Sequence, residues 1–213
     1  MGELDFENVV FGYGGNALFN GLSASFAKEQ ISCIVGPNGC GKSTLAKLAM
    51  GLIKPASGRV LIQGRDVASL NPRERARRLG VLVQQQEAPM MTVRELAACG
   101  RFPHHGPLSR LGETDAQCID ETLSLAGVYD LRDRPLRSLS GGQRQRARMA
   151  MVLAQDTPVV LLDEPTSFMD AAACFDMMRL VRRVRERGKT VIAVIHDLNL
   201  ALSVADAVFV MER

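Results

Sequence analysis

The chain has 213 residues, 46% of them apolar and 23% charged, with a formal net charge of +3. That is enough apolar material for the core of one compact domain carrying an insertion, and too mild a charge to make nucleic acid the main partner. No uninterrupted apolar run approaches the roughly 18–20 residues of a bilayer span, and Met1–Asp5 lacks the basic flank and apolar core of a signal peptide.

Two short β-like runs, about Leu4–Phe11 and Gly21–Phe26, precede a buried-strand run at Ile31–Val35. A glycine-rich loop at Gly36–Gly41 leads into a helix from Lys42 to Met50, closed by Gly51 at C′. Gly58–Gln63 with Gly64 reads as a strand and turn, and Val81-Leu82-Val83 as a further strand. The stretch from about 85 to 139 differs in character. It carries helical segments at Val93–Cys99 and Thr114–Leu125 between Pro- and Gly-bearing loops, and reads as an inserted helical subdomain.

The α/β pattern then resumes: a helix at Gly141–Ala154, the apolar strand Val159–Leu162, a helix at Ala172–Arg187, strand Thr190–Ile195, a short helix near Leu200 and strand Ala207–Met211. Phe175, Met178, Val181 and Val184 fall at helical spacing, so the Arg182–Arg187 stripe is the solvated face of that helix. The five cysteines (Cys33, Cys40, Cys99, Cys118, Cys174) are odd in number and never spaced Cys-x-x-Cys, which argues for reduced thiols rather than disulfides or zinc. Continuous apolar strands alternating with helices predict an α/β fold: a largely parallel sheet covered on both faces, with an N-terminal antiparallel β part.

Gly36-Pro37-Asn38-Gly39-Cys40-Gly41-Lys42-Ser43 fits G-x-x-x-x-G-K-[ST] between a buried strand and a helix, with Thr44 next in the helix. Glycines let backbone N–H groups fold around phosphate oxygens, and the helix N-terminus adds positive potential. Lys42 would reach the β- and γ-phosphates of ATP, and the Ser43 hydroxyl would ligate Mg²⁺. Asp163-Glu164 ends the apolar strand Val159–Leu162. Asp163 is assigned to the magnesium shell and Glu164 to the general base that deprotonates water. An acidic pair after a strand is weak alone, since many are solvated strand ends; joined to the loop it predicts a P-loop NTPase.

Leu139-Ser140-Gly141-Gly142-Gln143-Arg144-Gln145-Arg146 resembles the signature motif of ABC ATPases. In that family Ser140, Gly141, Gly142 and Gln143 would form a second phosphate cradle facing the nucleotide of the opposite subunit. The local chemistry agrees, because Ser140 can N-cap a helix and the glycines permit close backbone approach. The resemblance extends over nearly the whole chain. It implies that Tyr13 stacks on adenine, although a lone Tyr near a strand is as often core or surface. Gln84, with Gln85 and Gln86 directly behind it, resembles the magnesium- and water-contacting glutamine that joins the core to the helical subdomain. Asp170 resembles the acidic residue that communicates across the dimer, beside an unusual Phe168-Met169 pair, and His196 resembles the switch histidine at the γ-phosphate.

Within the family, Thr92–Leu96, Gly100–His104 and Asp197-Leu198-Asn199 are similar to cassettes of bacterial importers for ferric siderophores, haem and cobalamin. The resemblance implies a second copy of the cassette, a membrane permease docked near Gly100–His105 with Arg101 and Phe102 as anchors, and indirectly a solute-binding protein. It also implies a peripheral place on the cytoplasmic face of the inner membrane, and a family tail past Met211-Glu212-Arg213 that these residues do not include. The competing expectations are a soluble ABC ATPase outside transport, and a nucleotide-gated scaffold with little turnover.

Overall fold

A computed structural model describes residues 2–83, 88–106, 110–167 and 169–212. Strands β1 (Leu4–Tyr13) and β2 (Asn16–Phe26) form a long antiparallel hairpin, extended further by β4 (Ser57–Ile62) and β5 (Arg65–Asp66) in the order β2-β1-β4-β5. The hairpin is longer than its apolar runs suggested, because exposed positions of β1 and β2 continue the ladder beyond the buried ones. Between them in sequence come β3 (Ile31–Val35) and helix α1 (Lys42–Ala49).

Helix α2 (Pro72–Ala76) was not anticipated; Asn71 and Glu74 close a capping box around its proline-led first turn. Then follow β6 (Leu79–Leu82), α3 (Val93–Cys99), α4 (Glu113–Leu125), α5 (Gly141–Ala154), β7 (Val159–Asp163), α6 (Ala171–Glu186), β8 (Thr190–Val194), α7 (Leu198–Val204) and β9 (Ala207–Val210). Strands β6-β7-β8-β3-β9 pair in that order, every pair parallel.

The parallel strands are buried on both faces, and their side chains sort with a period of two. Val160 and Leu162 of β7, with Val191 and Ala193 of β8, join a cluster with α3, α4, α5 and α6. Their alternates Val159, Leu161, Ile192 and Val194 join the opposite cluster, with α1 and the antiparallel sheet. Two packed layers on one sheet therefore leave the loops at its C-terminal edge as the open ground for chemistry. Those loops follow β3, β7 and β8 and carry Gly36–Gly41, Asp163-Glu164 and His196.

Met178, Val181 and Val184 pack α6 on the sheet as its spacing predicts, but Phe175, read as part of that stripe, is 58% exposed. It sits one turn too near the helix start to lie over the strands and instead borders a groove beside Glu164 and His196. All five cysteines are free. Among the described residues no helix is long and apolar enough to cross a membrane.

Candidate active site

The loop after β3 wraps around a buried lysine. Lys42 Nζ donates to Gly36 O at 2.8 Å and to Pro37 O at 2.9 Å. Gly41, the N-cap of α1, has φ +109°, and a Cβ there would fall 2.6 Å from the Phe19 ring. A side chain at this position would be both strained and blocked, so glycine lets the loop seat against β2. The first turn of α1 holds no acidic residue, which leaves its amides to an anion from outside.

Asp163, the last residue of β7, is half-buried, and its Oδ1 is a buried acceptor without a hydrogen-bond partner. The Ser43 hydroxyl lies beside the same carboxylate. Burial, then the neighbouring Glu164 charge, raises its pKa, while the Ser43 hydroxyl and the charges of His196 and Lys42 pull the other way. A carboxylate oxygen left unpaired beside a hydroxyl suits a hard divalent cation such as magnesium. Among the described residues no group of three or more His, Cys, Asp or Glu side chains could hold a metal ion. The remaining ligands would be phosphate oxygens and water, as is usual for Mg²⁺.

Glu164 sits at φ +54°, a left-handed conformation costing a non-glycine residue about 1–3 kcal/mol. Its N–H donates to Val194 O at 3.2 Å, tying the turn to β8. Oε2 accepts from Ser167 Oγ at 2.8 Å, and Oε1 lies 2.6 Å from His196 Nε2. Burial pushes the Glu164 pKa up, but the His196 and Ser167 hydrogen bonds and the His196 and Lys42 charges lower it further than burial raises it. The group is thus an oriented carboxylate at neutral pH, able to accept a proton. Ser167 was missed by sequence reading; its position three residues past Glu164, in the turn that holds the strained backbone, is the signal that could have found it.

The structure therefore gathers Lys42, Ser43, Asp163, Glu164 and His196 at one edge of the sheet. It does not bring Ser140–Gln143 or Asp170 into that group. Ser140 and Gln143 close a reciprocal cap on the first turn of α5, at 3.3 and 3.0 Å, and Ser140 and Gly141 are exposed. A Cβ on Gly142 would face Ala173 and Met169, not the P-loop. Asp170 N-caps α6, its Oδ1 accepting from Ala173 N at 2.8 Å.

Tyr13 ends β1, 51% exposed, its ring edge-on to Phe11 at 4.9 Å, which removes the core reading. Gln84, Gln85, Gln86 and Phe168 lie outside the described residues. Arg101 is a correction: its side chain is only 14% exposed and pairs with Asp115 at 2.9 Å, so it faces its own chain and cannot anchor a partner. Phe102 beside it is 62% exposed.

Residues 19–167 match the family described as ABC transporter. The chain is 41% identical to the achromobactin transport ATP-binding protein CbrD of Dickeya dadantii, over 97% of this chain and 77% of that protein. It is 39% identical to the iron(3+)-hydroxamate import ATP-binding protein FhuC of Bacillus subtilis, over 94% of this chain and 76% of the relative. For the ferric enterobactin transport ATP-binding protein FepC of Escherichia coli the identity is 41%, over 92% and 73%. A nucleotide-free cassette from an ABC transporter superposes with a TM-score of 0.89 at 27% identity, over 99% of this chain and 88% of that one. The dimeric cassette MJ0796 with ADP and Pi bound gives 0.84 at 27%, over 98% and 94%. With its P-loop, its ordered carboxylates and these relatives, the chain belongs to the ATP-hydrolysing cassettes of the ABC transporter family.

Proposed function

We propose that this chain powers an importer for ferric siderophores or a related iron chelate, working as a pair of cassettes beneath a membrane permease on the cytoplasmic face. The observation that carries the catalytic part is the Glu164 carboxylate, held by Ser167 and His196 within reach of the Lys42 charge. The iron-chelate part is supported by relatives named for achromobactin, iron(3+)-hydroxamate and ferric enterobactin. Segment 85–139 is read as the inserted helical subdomain, with exposed Phe102 toward the permease.

Lys42 exchanges its two loop carbonyls for the β- and γ-phosphate oxygens of ATP, and the amides at the start of α1 take the rest of the phosphate chain. Tyr13 stacks on adenine. Magnesium, when bound through Ser43, Asp163 and Gln84, would neutralise charge developing on the β- and γ-oxygens. Glu164 takes a proton from the water that attacks the γ-phosphorus in line, the bond to the leaving β-phosphate oxygen breaks, and ADP and phosphate result. His196 orients Glu164 and, once ATP is bound, contacts the γ-phosphate.

Ser140–Gln143 and Asp170 lie apart from this group on an exposed surface, so they serve the nucleotide of the second copy. Hydrolysis then waits for closure of the pair. The test is iron-chelate uptake in cells lacking the gene, complemented by wild type or Glu164→Gln, together with recovery of the permease on the tagged chain. Restoration by wild type only, with permease recovered, is expected. Uptake unaffected by loss of the gene overturns the transport reading, and absence of phosphate release from the purified chain overturns the enzymatic one.

A further inference from the structure

The corner where residues 100–105 meet the end of α5 takes no part in the site above, yet several side-chain hydrogen bonds converge on it. Arg101 Nε donates to Asp115 Oδ1 of α4 at 2.9 Å, and its Nη1 donates to Ala154 O, at the last residue of α5, at 2.8 Å. His104 Nε2 lies 2.8 Å from Gln155 O; a carbonyl only accepts, so the ring nitrogen is the donor. The backbone of the same turn is held from the core side. Pro103 O accepts from Arg77 Nε at 2.8 Å, and His105 O accepts from Arg73 Nη2 of α2. Gln155 Nε2 closes the knot by donating to Leu79 O of β6 at 3.1 Å. A Cβ on Gly100 would fall 2.2 Å from Met151 O, so the end of α3 lies against the last turn of α5 closer than any side chain permits.

The other end of α5 is Ser140. The helix between is unbroken over 14 residues, about 21 Å at 1.5 Å per residue. Its terminal carbonyls carry the negative end of the helix dipole and need donors, which Arg101 and His104 supply. A guanidinium with one nitrogen on a buried carboxylate and another on the Ala154 carbonyl fixes both the height and the rotation of the helix end. Exposed Phe102 belongs to the same turn, Phe102–His104, as the two residues that hold α5.

We propose that Arg101 is a positioning residue for the second phosphate cradle: by fixing the C-terminal end of α5 it sets where Ser140–Gly142 meet the nucleotide bound by the other copy. The inference rests on the proposed reading that these residues act in trans, and it makes α5 the rod joining the Phe102 turn to the cradle.

The test is made in a Glu164→Gln parent, where MgATP-driven dimerisation is followed by sedimentation, with ADP affinity and thermal midpoint measured alongside. Arg101→Gln should leave ADP affinity within about twofold and raise the dimer dissociation constant about tenfold or more. Arg101→Lys, which keeps the charge but not the fork, should fall between, and it carries the test if Arg101→Gln does not fold. In a Ser140→Ala parent the cradle is already impaired, so Arg101→Gln should add little further loss. Dimer constants equal to the parent's, losses that multiply with those of Ser140→Ala, or ADP affinity falling in parallel would each overturn the inference. A parent that stays monomeric in MgATP, or a dimer indifferent to Ser140→Ala, overturns the trans reading itself. Ser140 sensitivity with inert Arg101 variants sinks the inference alone.

Discussion

Replacing Glu164 by Gln separates binding from turnover, and the structure gives the sign of both effects. The amide keeps an acceptor for the Ser167 hydroxyl or the His196 ring, so the turn stays in place. It removes the charge that helps push the Asp163 pKa up, so Asp163 ionises more readily and MgATP should bind as well as before or tighter. The proton acceptor is gone, and general-base catalysis of this kind contributes about 10²–10⁴-fold. At about 1.36 kcal/mol per decade the barrier should rise by about 3–5 kcal/mol. Equilibrium binding of a fluorescent ATP analogue and single-turnover phosphate release measure the two quantities independently. Turnover within about fivefold of wild type would show that the base lies elsewhere. Binding lost in step with turnover would show that Glu164 shapes the site rather than serving the water.

Tyr13→Ala should raise the KM for ATP about five- to 150-fold with little change in kcat, since base–aromatic stacking is worth about 1–3 kcal/mol; steady-state kinetics with equal KM values would return Tyr13 to the plain surface. Gly41→Ala should abolish nucleotide binding in a folded protein, because the new methyl meets the Phe19 ring at a backbone angle that L-residues avoid; near-normal affinity by calorimetry would refute the packing argument. Asp115→Asn should cost about 1–3 kcal/mol at neutral pH by taking the charge from the Arg101 pair, whose guanidinium then keeps Ala154 O and a neutral amide oxygen. Arg101, the Gly112 N–H and His105 hold the Asp115 pKa far below its unfolded value, so this stability is complete above about pH 4 and drains as pH falls toward the folded pKa. Urea midpoints of wild type and Asp115→Asn should therefore converge below about pH 4; a constant gap would remove the ion pair from the account.

The phosphate-binding loop and the first turn of α5 were legible because their chemistry is local: each is written in a few consecutive residues that must adopt one backbone shape. Ser140 caps α5 as its sequence implied, with Gln143 completing the reciprocal bond. Helix α2 went unread although Asn71-Pro72-Arg73-Glu74 carries a capping box, because no apolar face accompanies a helix that buries nothing. Arg101 was misjudged for the opposite reason. Its partners Asp115 and Ala154 stand 14 and 53 positions away, and composition alone makes an arginine beside an exposed phenylalanine look like a partner anchor. Phe175 shows the limit of periodicity, which gives direction around a helix but not where along it the sheet ends. The strained backbone of Glu164 is a consequence of the turn between β7 and α6 and is invisible to any pattern of residue types.

The order β6-β7-β8-β3-β9 also sets a timetable. Strand β3, which launches the phosphate loop, pairs with β8 and β9, and Ile31 finds Val191 only after about 160 further residues have been made. At about 5–20 residues per second the nascent Ile31–Val35 segment, buried on both faces in the finished fold, waits roughly 8–30 s with neither edge occupied. During that interval the antiparallel hairpin of β1 and β2 can close locally, but the loop above β3 has no platform. Capacity for nucleotide is thus among the last properties the emerging polypeptide acquires, and a ribosome-bound chain halted before β8 should not retain ATP. Until then the cell must shield a bare parallel strand, whose unpaired edges are the feature most apt to recruit a chaperone or a wrong partner.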